Sequence, residues 1–324
     1  MPLRHGVAPS VVATPGGHHG RWPSLAAYLA ERFASIAQAE WLARMQRGEV
    51  LNAQGQPVPP SHPFAPQARF YYWRDVPDEP PLPVQERIVF EDEWLVVADK
   101  PHFLPVTPKG KHVRETLLSR LRDRLQCAEL SPLHRIDRET AGLVLLAKRQ
   151  ATRHAYQSLF ARSAVHKWYE ALAAVPPGLD LAALPAERIS RMEPAGHFMQ
   201  MREVPVDEAA GRPANAQVAI RVMEVIKAMP ANTGAELQGT NERRFVRLEL
   251  QPRTGKRHQL RVQMAALGLP LWGDRIYPSL LPEGTDDLTN PLRLLAREIA
   301  FNDPFTGQAR HFRSGLALQA PHGP

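Results

Sequence analysis

The stretch His134-Arg135-Ile136-Asp137-Arg138-Glu139-Thr140-Ala141-Gly142, running into Leu143-Val144-Leu145-Leu146-Ala147-Lys148, sets how the rest of the chain is read. Leu143 to Ala147 is an unbroken apolar run, too continuous for a strand with one wet face, and it predicts a strand buried on both sides. Just ahead of it, Asp137 stands between Arg135 and Arg138. A carboxylate leading into a buried strand has a rigid support, and flanking guanidinium groups favour its ionised form and an anionic neighbour. In isolation, Arg-x-Asp-Arg is also the composition of a surface ion-pair cluster.

A second stretch shifts that balance. Arg253-Thr254-Gly255-Lys256-Arg257-His258-Gln259-Leu260-Arg261 carries four Lys or Arg and no acid. Such density suits phosphate contacts, and Thr254-Gly255 provides a turn that can gather backbone N–H groups and basic side chains around a nucleic-acid strand. The flanking Leu250 and Val262 imply that part of this segment enters the core and carries selected side chains into a cleft.

Outward from these two stretches, periodicity sets the elements. Ala151 to Phe160 predicts a helix with Tyr156 and Phe160 on one side, and Trp168 to Ala174 predicts the next strand. Gln217 to Val225 and Arg244 to Leu250 alternate as antiparallel strands with one wet face do, and Met264 to Leu267 ends a helix that Gly268 terminates. On the N-terminal side, Arg87 to Phe90 and Leu95 to Ala98 form a hairpin that delivers Asp99, Lys100 and Pro101 into a loop. Leu117, Leu118, Leu121 and Leu125 have helical spacing, while Pro176 to about Gly211 reads as loop. This mix predicts an α+β fold with a mixed, largely antiparallel sheet flanked by helices.

Val76 to Pro83 holds four prolines and two acids, which disfavour helix and central strand alike, so 76–83 is expected to be an extended linker. Before it, Leu25, Tyr28, Leu29, Phe33 and Ile36 predict one helix and Trp41, Leu42 and Met45 another. A turn at Asn52 to Gly55 and a strand at Phe70 to Trp73 complete a small module over 21–75. Residues 1–20, rich in Pro, Gly and His, resemble neither a secretory signal nor a membrane anchor and are expected to form a disordered tail. His18 and His19 have no nearby carboxylate or cysteine to complete a metal site, and no metal is expected.

With 40 Lys and Arg against 33 Asp and Glu, the formal net charge is +7, a balance that favours a polyanionic partner but is shared by many basic soluble proteins. Cys127 is the only cysteine, which excludes an internal disulfide and a cysteine zinc cluster and suits a reducing cytoplasm.

At its two decisive stretches the chain resembles the RluA family of RNA pseudouridine synthases. His134 to Lys148 follows the family pattern His-Arg-Leu-Asp-x-x-Thr-Ser-Gly, aliphatics, Ala-Lys, with Ile136 and Ala141 as departures. Thr254 to Met264 and Gly268 to Tyr277 echo Thr-Gly-Arg-x-His-Gln-Ile/Leu-Arg-Val-His-Met and Gly-x-Pro-Ile-x-Gly-Asp-x-x-Tyr, with Lys256, Gln263 and Leu271 departing. Lys167-Trp168-Tyr169-Glu170-Ala171 matches Lys-x-Tyr-x-Ala, and Asp99-Lys100-Pro101 with Leu104 to Pro108 is similar to the family's Lys-Pro loop. The likeness spans about Pro83 to Arg313, and the module over 21–75 resembles the alpha-L RNA-binding module. A catalytic domain over 84–318 is therefore expected.

The resemblance implies a cofactor-free isomerase, monomeric and cytoplasmic, that flips a uridine of structured RNA, in tRNA or 23S rRNA, and converts it to pseudouridine. It implies Asp137 as nucleophile, Arg261 as its ion-pair partner and Tyr169 as the base-stacking residue. Arg135 fills the space left by the flipped base. Lys100, Lys256 and Arg257 are assigned to RNA backbone, Arg138 and His258 to the substrate, and His134, grouped with the substrate-binding residues, to a structural hydrogen bond rather than general-base work. Two other classes stay open at this stage. A non-catalytic RNA binder would share the basic patch, and a nucleoside hydrolase would need a second acid or base, for which Glu139 is the only near neighbour in sequence.

Overall fold

Leu25, Ala26, Tyr28 and Leu29 fall on one helical face and are buried together in a small apolar core with Trp22, Trp41, Met45, Val50, Phe70 and Tyr72. The computed structural model describes residues 1–324 except 2, 18–19, 74–78, 111, 206–207, 210, 229–242, 283–286 and 320–324. His18, His19 and positions 76–78 of the expected linker lie outside the described residues. The chain divides into two compact units, one of 1–81 with 107–128 and one of 82–106 with 129–324.

The first unit holds β1 (Ser10–Ala13), α1 (Leu25–Arg32), α2 (Gln38–Gln46), β2 (Val50–Leu51), β3 (Arg69–Tyr72) and α3 (Leu117–Leu125). The hydroxyl of Ser24 accepts the Ala27 N–H and starts α1; that of Thr116 accepts the Ser119 N–H and starts α3. The three strands are ordered β1-β3-β2. This corrects the disordered tail expected over 1–20. Ser10–Ala13 pairs antiparallel with β3, Val12 is buried, and the Thr14 hydroxyl donates to Ala65 O at 2.6 Å, so a short alternating segment gains a ladder and an apolar seat. Residues 107–128 also group with this unit rather than with the expected 84–318 domain. The Glu79 carboxylate accepts the N–H groups of Val113, Arg114 and Glu115 at 2.7 to 2.9 Å, tying that segment back across the linker.

The second unit contains β4 (Arg87–Glu91), β5 (Leu95–Lys100), β6 (Ser131–Pro132), β7 (Ala141–Ala147), α4 (Gln150–Ala161), β8 (His166–Val175), β9 (Glu187–Pro194), β10 (Met201–Val204), β11 (Ala216–Ala228), β12 (Arg243–Pro252), α5 (Gln259–Ala266), β13 (Leu294–Asn302) and β14 (Ala309–Arg313). Its sheet is ordered β10-β9-β11-β12-β8-β13-β7-β5-β4, with β14 on β13 and β6 on β7. Among the described residues, only β13 and β7 pair in parallel, so the mixed, largely antiparallel sheet matches expectation.

All seven residues of β7 are buried. Beside it, Leu95, Val97 and Leu145 pack with Tyr156 and Leu159 of α4, whereas Ala171, Val246, Leu248 and Leu250 pack with Leu260 and Met264 of α5. Tyr169 joins this second cluster. Gly142, at φ +112°, lies where β7 meets β13, and a Cβ there would stand 2.3 Å from Ala296 O. Only glycine fits that approach.

The stretch 176–211 read as loop contains the β9/β10 hairpin. Its strands bury few apolar side chains, chiefly Met192 and Val204, and are instead laced by Arg188 and Glu203 at 2.9 Å, so the hydrophobic period is too faint to see. Among the described residues, no helix is long and apolar enough to cross a membrane.

Candidate active site

Asp137 sits in the loop that leads into β7, whose turn is closed by Thr140 N–H donating to Asp137 O at 3.2 Å. That loop is held from beneath. Lys100, fully buried at the end of β5, donates its Nζ to Pro101 O at 3.0 Å and Arg138 O at 3.1 Å. His102 Nδ1 is 2.6 Å from Glu139 O. His134 accepts the Leu145 N–H on Nε2 at 3.1 Å and stacks on Phe160 with centroids 4.9 Å apart. Burial lowers Lys100 to about 7, His102 to about 4 and His134 to about 3, so both histidines are neutral supports at pH 7.

From the other side comes α5. Its Arg261, 1% exposed, forks onto Asp274 through Nε at 2.8 Å and Nη2 at 2.7 Å, while Nη1 reaches Asp137 Oδ2 at 3.2 Å and Glu139 Oε2 at 3.8 Å. Burial alone would lower the guanidinium's pKa, but the hydrogen bonds and charge of Asp274, joined by Asp137 and Glu139, outweigh it and raise it. Asp274 also accepts the Ile276 and Tyr277 N–H groups on Oδ1. A fully buried carboxylate thus holds a buried guanidinium, which in turn holds Asp137, whose side chain stays 27% exposed. The result is a carboxylate held through Oδ2 and still partly exposed.

His258 caps α5 with a left-handed backbone, φ +55°. Its Nε2 lies 3.8 Å from Asp137 Oδ1, and its Nδ1 lies 2.9 Å from Tyr277 Oη. Tyr277 Oη in turn accepts the Met201 N–H at 2.8 Å. Tyr169 on β8 is near enough for Asp137 to act on it: burial first, then that charge, push its phenol pKa up, so it stays protonated.

A family model described as RNA pseudouridylate synthase matches residues 94–266. The chain is 29% identical to an uncharacterized RNA pseudouridine synthase of Synechocystis over 77% of this chain and 78% of that one. It is 30% identical to the ribosomal large subunit pseudouridine synthase D of Pseudomonas aeruginosa over 72% of this chain and 69% of that one. The chain belongs to the RluA family of RNA pseudouridine synthases. It is an isomerase that converts uridine to pseudouridine in RNA. The structure of human RNA pseudouridylate synthase domain containing 1 shares the fold, with a TM-score of 0.51 and 18% identity over 71% of this chain and 83% of that one.

Within this pseudouridine synthase the structure gathers Asp137, Arg261 and His258 at one point, with Tyr169 within reach of the Asp137 charge, but relocates others. Lys100, expected on RNA backbone, has no exposed surface and spends its ammonium on loop carbonyls. His134, grouped with the substrate-binding residues, makes the structural hydrogen bond expected of it, to the Leu145 N–H of β7. Arg257 is exposed, yet both its Nη atoms donate to backbone, to Phe198 O at 2.9 Å and Met199 O at 3.0 Å. These bonds pin the tip of the β9/β10 hairpin and leave Phe198 76% exposed. Arg138 lies over the Phe103 ring at 5.7 Å and 3.5 Å from Glu139. Arg135 and Lys256 are exposed.

Asp274, which clamps Arg261, is the site residue that the sequence reading misses. The signal is present, because an aspartate in a fixed motif 13 residues after Arg261 is a natural counter-charge for a buried arginine.

Proposed function

We propose that Asp137 is the nucleophile of the isomerisation and that the substrate is a stem-loop of transfer RNA or large-subunit ribosomal RNA. One observation carries this reading: Asp137 is the partly exposed end of a buried Asp274–Arg261–Asp137 chain, with Arg261 Nη1 3.2 Å from its Oδ2. The reaction breaks the bond between C1′ and N1, turns the uracil and joins C1′ to C5; C5 gives up its proton and N1 gains one, so no mass is lost. A fixed carboxylate is suited to act on an electron-poor sugar carbon, and no redox change is required.

Flipping the base out of its stack costs a few kcal/mol. Exposed Arg135, beside the nucleophile in sequence, suits the vacated space because a planar guanidinium stacks on bases. Tyr169, kept protonated, suits stacking on the uracil better than removing the C5 proton as a phenoxide. The resemblance of the Asp99 to Pro108 loop, and the ribosomal large subunit for which the Pseudomonas relative is named, support the RNA class. Residues 21–75 are assigned to RNA contact on their helix, helix, strand order. The synthase is taken to work as a monomer in the reducing cytoplasm, to which the lone Cys127 is suited.

The test is Asp137→Asn. Isomerisation is expected to fall to background while RNA affinity by filter binding stays within about threefold, since the uncharged amide keeps the shape but loses the nucleophile. Retained turnover overturns the assignment.

A further inference from the structure

We infer that His258 is a positioning residue for Asp137, held by Tyr277 as the neutral tautomer that aims Nε2–H at Asp137 Oδ1. This rests on Asp137 being the nucleophile. The inference comes from the polarity of one chain of groups. Met201 N–H donates to Tyr277 Oη at 2.8 Å. The phenol has a single proton, and His258 Nδ1 stands 2.9 Å from its oxygen, where an O–H donor is met by a ring lone pair. With Nδ1 accepting, a neutral imidazole carries its proton on Nε2.

The carboxylate end favours the same tautomer. Nε2 is 3.8 Å from Asp137 Oδ1, and the opposite tautomer would point a lone pair at a negative oxygen. Asp137, Glu139, Arg257 and Arg261 are the charges that act on the ring, and burial outweighs the carboxylates, holding His258 below its usual pKa. The gap to Oδ1 is less than about 1 Å beyond an ordinary hydrogen bond. An edge-on contact with Tyr277, centroids 5.7 Å apart at 81°, keeps the imidazole in place despite its left-handed backbone.

The device does what a second cation would not. Arg261 fixes Oδ2, and a neutral donor at Oδ1 fixes the plane of the carboxylate without the additional positive charge that would bind its lone pairs and blunt attack.

Two measurements test this. In the full chain labelled with 15N-histidine, the His258 signals at pH 7.5 are expected to show Nε2 protonated and Nδ1 bare, with tautomer exchange appearing in Tyr277→Phe. A protonated Nδ1 in the wild-type protein, or an imidazolium at that pH, overturns the inference whether or not Asp137 is the nucleophile. The second uses RNA from cells lacking the gene, labelled with tritium at uracil C5. His258→Gln puts an amide nitrogen near the place of Nε2, whereas His258→Asn keeps only a group near Nδ1. Asparagine tolerates the left-handed backbone, so this variant folds. Single-turnover tritium release is expected to fall about tenfold in Asn and about twofold in Gln, with RNA affinity within about twofold in both, as loss of one polar contact of about 1 kcal/mol to the carboxylate implies. Equal rates in Asn and Gln, or a loss confined to RNA affinity, overturn it.

Discussion

Arg261 holds two carboxylates at once, and that geometry needs a planar fork. Lysine preserves the charge but cannot span Asp274 and Asp137 together. Arg261→Lys is therefore expected to lower the isomerisation rate about 100-fold and to cost about 2 to 4 kcal/mol in urea unfolding, since Asp274 is left buried with an incomplete partner. Lys100 makes a different prediction, in pH. Burial sets its folded pKa at about 7 from 10.5, so between these values the unfolded chain binds the extra proton. Stability from this group rises with pH through that window. The urea midpoint of the wild-type protein should climb relative to Lys100→Met from pH 7 to pH 9, and parallel curves would refute the buried placement. Asp137 was legible because charge and burial change abruptly around it in sequence. Lys100 was not: a lysine in a loop motif looks like a phosphate ligand, and only the loop carbonyls closing over it show otherwise.

At the scale of elements, the parallel junction of β7 and β13 depends on Gly142. Gly142→Ala places a methyl 2.3 Å from Ala296 O at a φ of +112° and is expected to destabilise the fold by about 3 kcal/mol or more, read by thermal unfolding. The β9/β10 hairpin is fastened through Arg257, so Arg257→Ala should raise KM severalfold while leaving kcat little changed. A uniform fall in kcat instead would mean that the hairpin orders Asp137 itself. Strands such as β7 and β12 announced themselves by their apolar runs and alternation. The hairpin did not, because charge pairs such as Arg188 with Glu203 replace the buried face from which a strand is recognised. β1 was hidden similarly, as four residues beside prolines and glycines acquire strand character only from the β3 edge.

Over the whole molecule, the net charge of +7 and the exposed Arg135, Arg253 and Lys256 lead us to expect RNA binding that depends on salt. If these three neutralise phosphates, a rise from 50 to 200 mM salt should weaken RNA binding roughly 20- to 30-fold. A flat salt response by filter binding would remove the basic surface from the interface.

By itself the sequence determined the α+β class, the buried β7, the basic segment opposite it and the family, because periodicity and motif spacing are local properties. Tertiary structure alone decided what each cation does. Whether a lysine or arginine meets phosphate, a carboxylate or a backbone carbonyl depends on what other segments bring within hydrogen-bond reach, as Asp137, 124 residues away, does for Arg261 at 3.2 Å. Burial then sets the energetic stake of that partner, since a charge removed from water must find one.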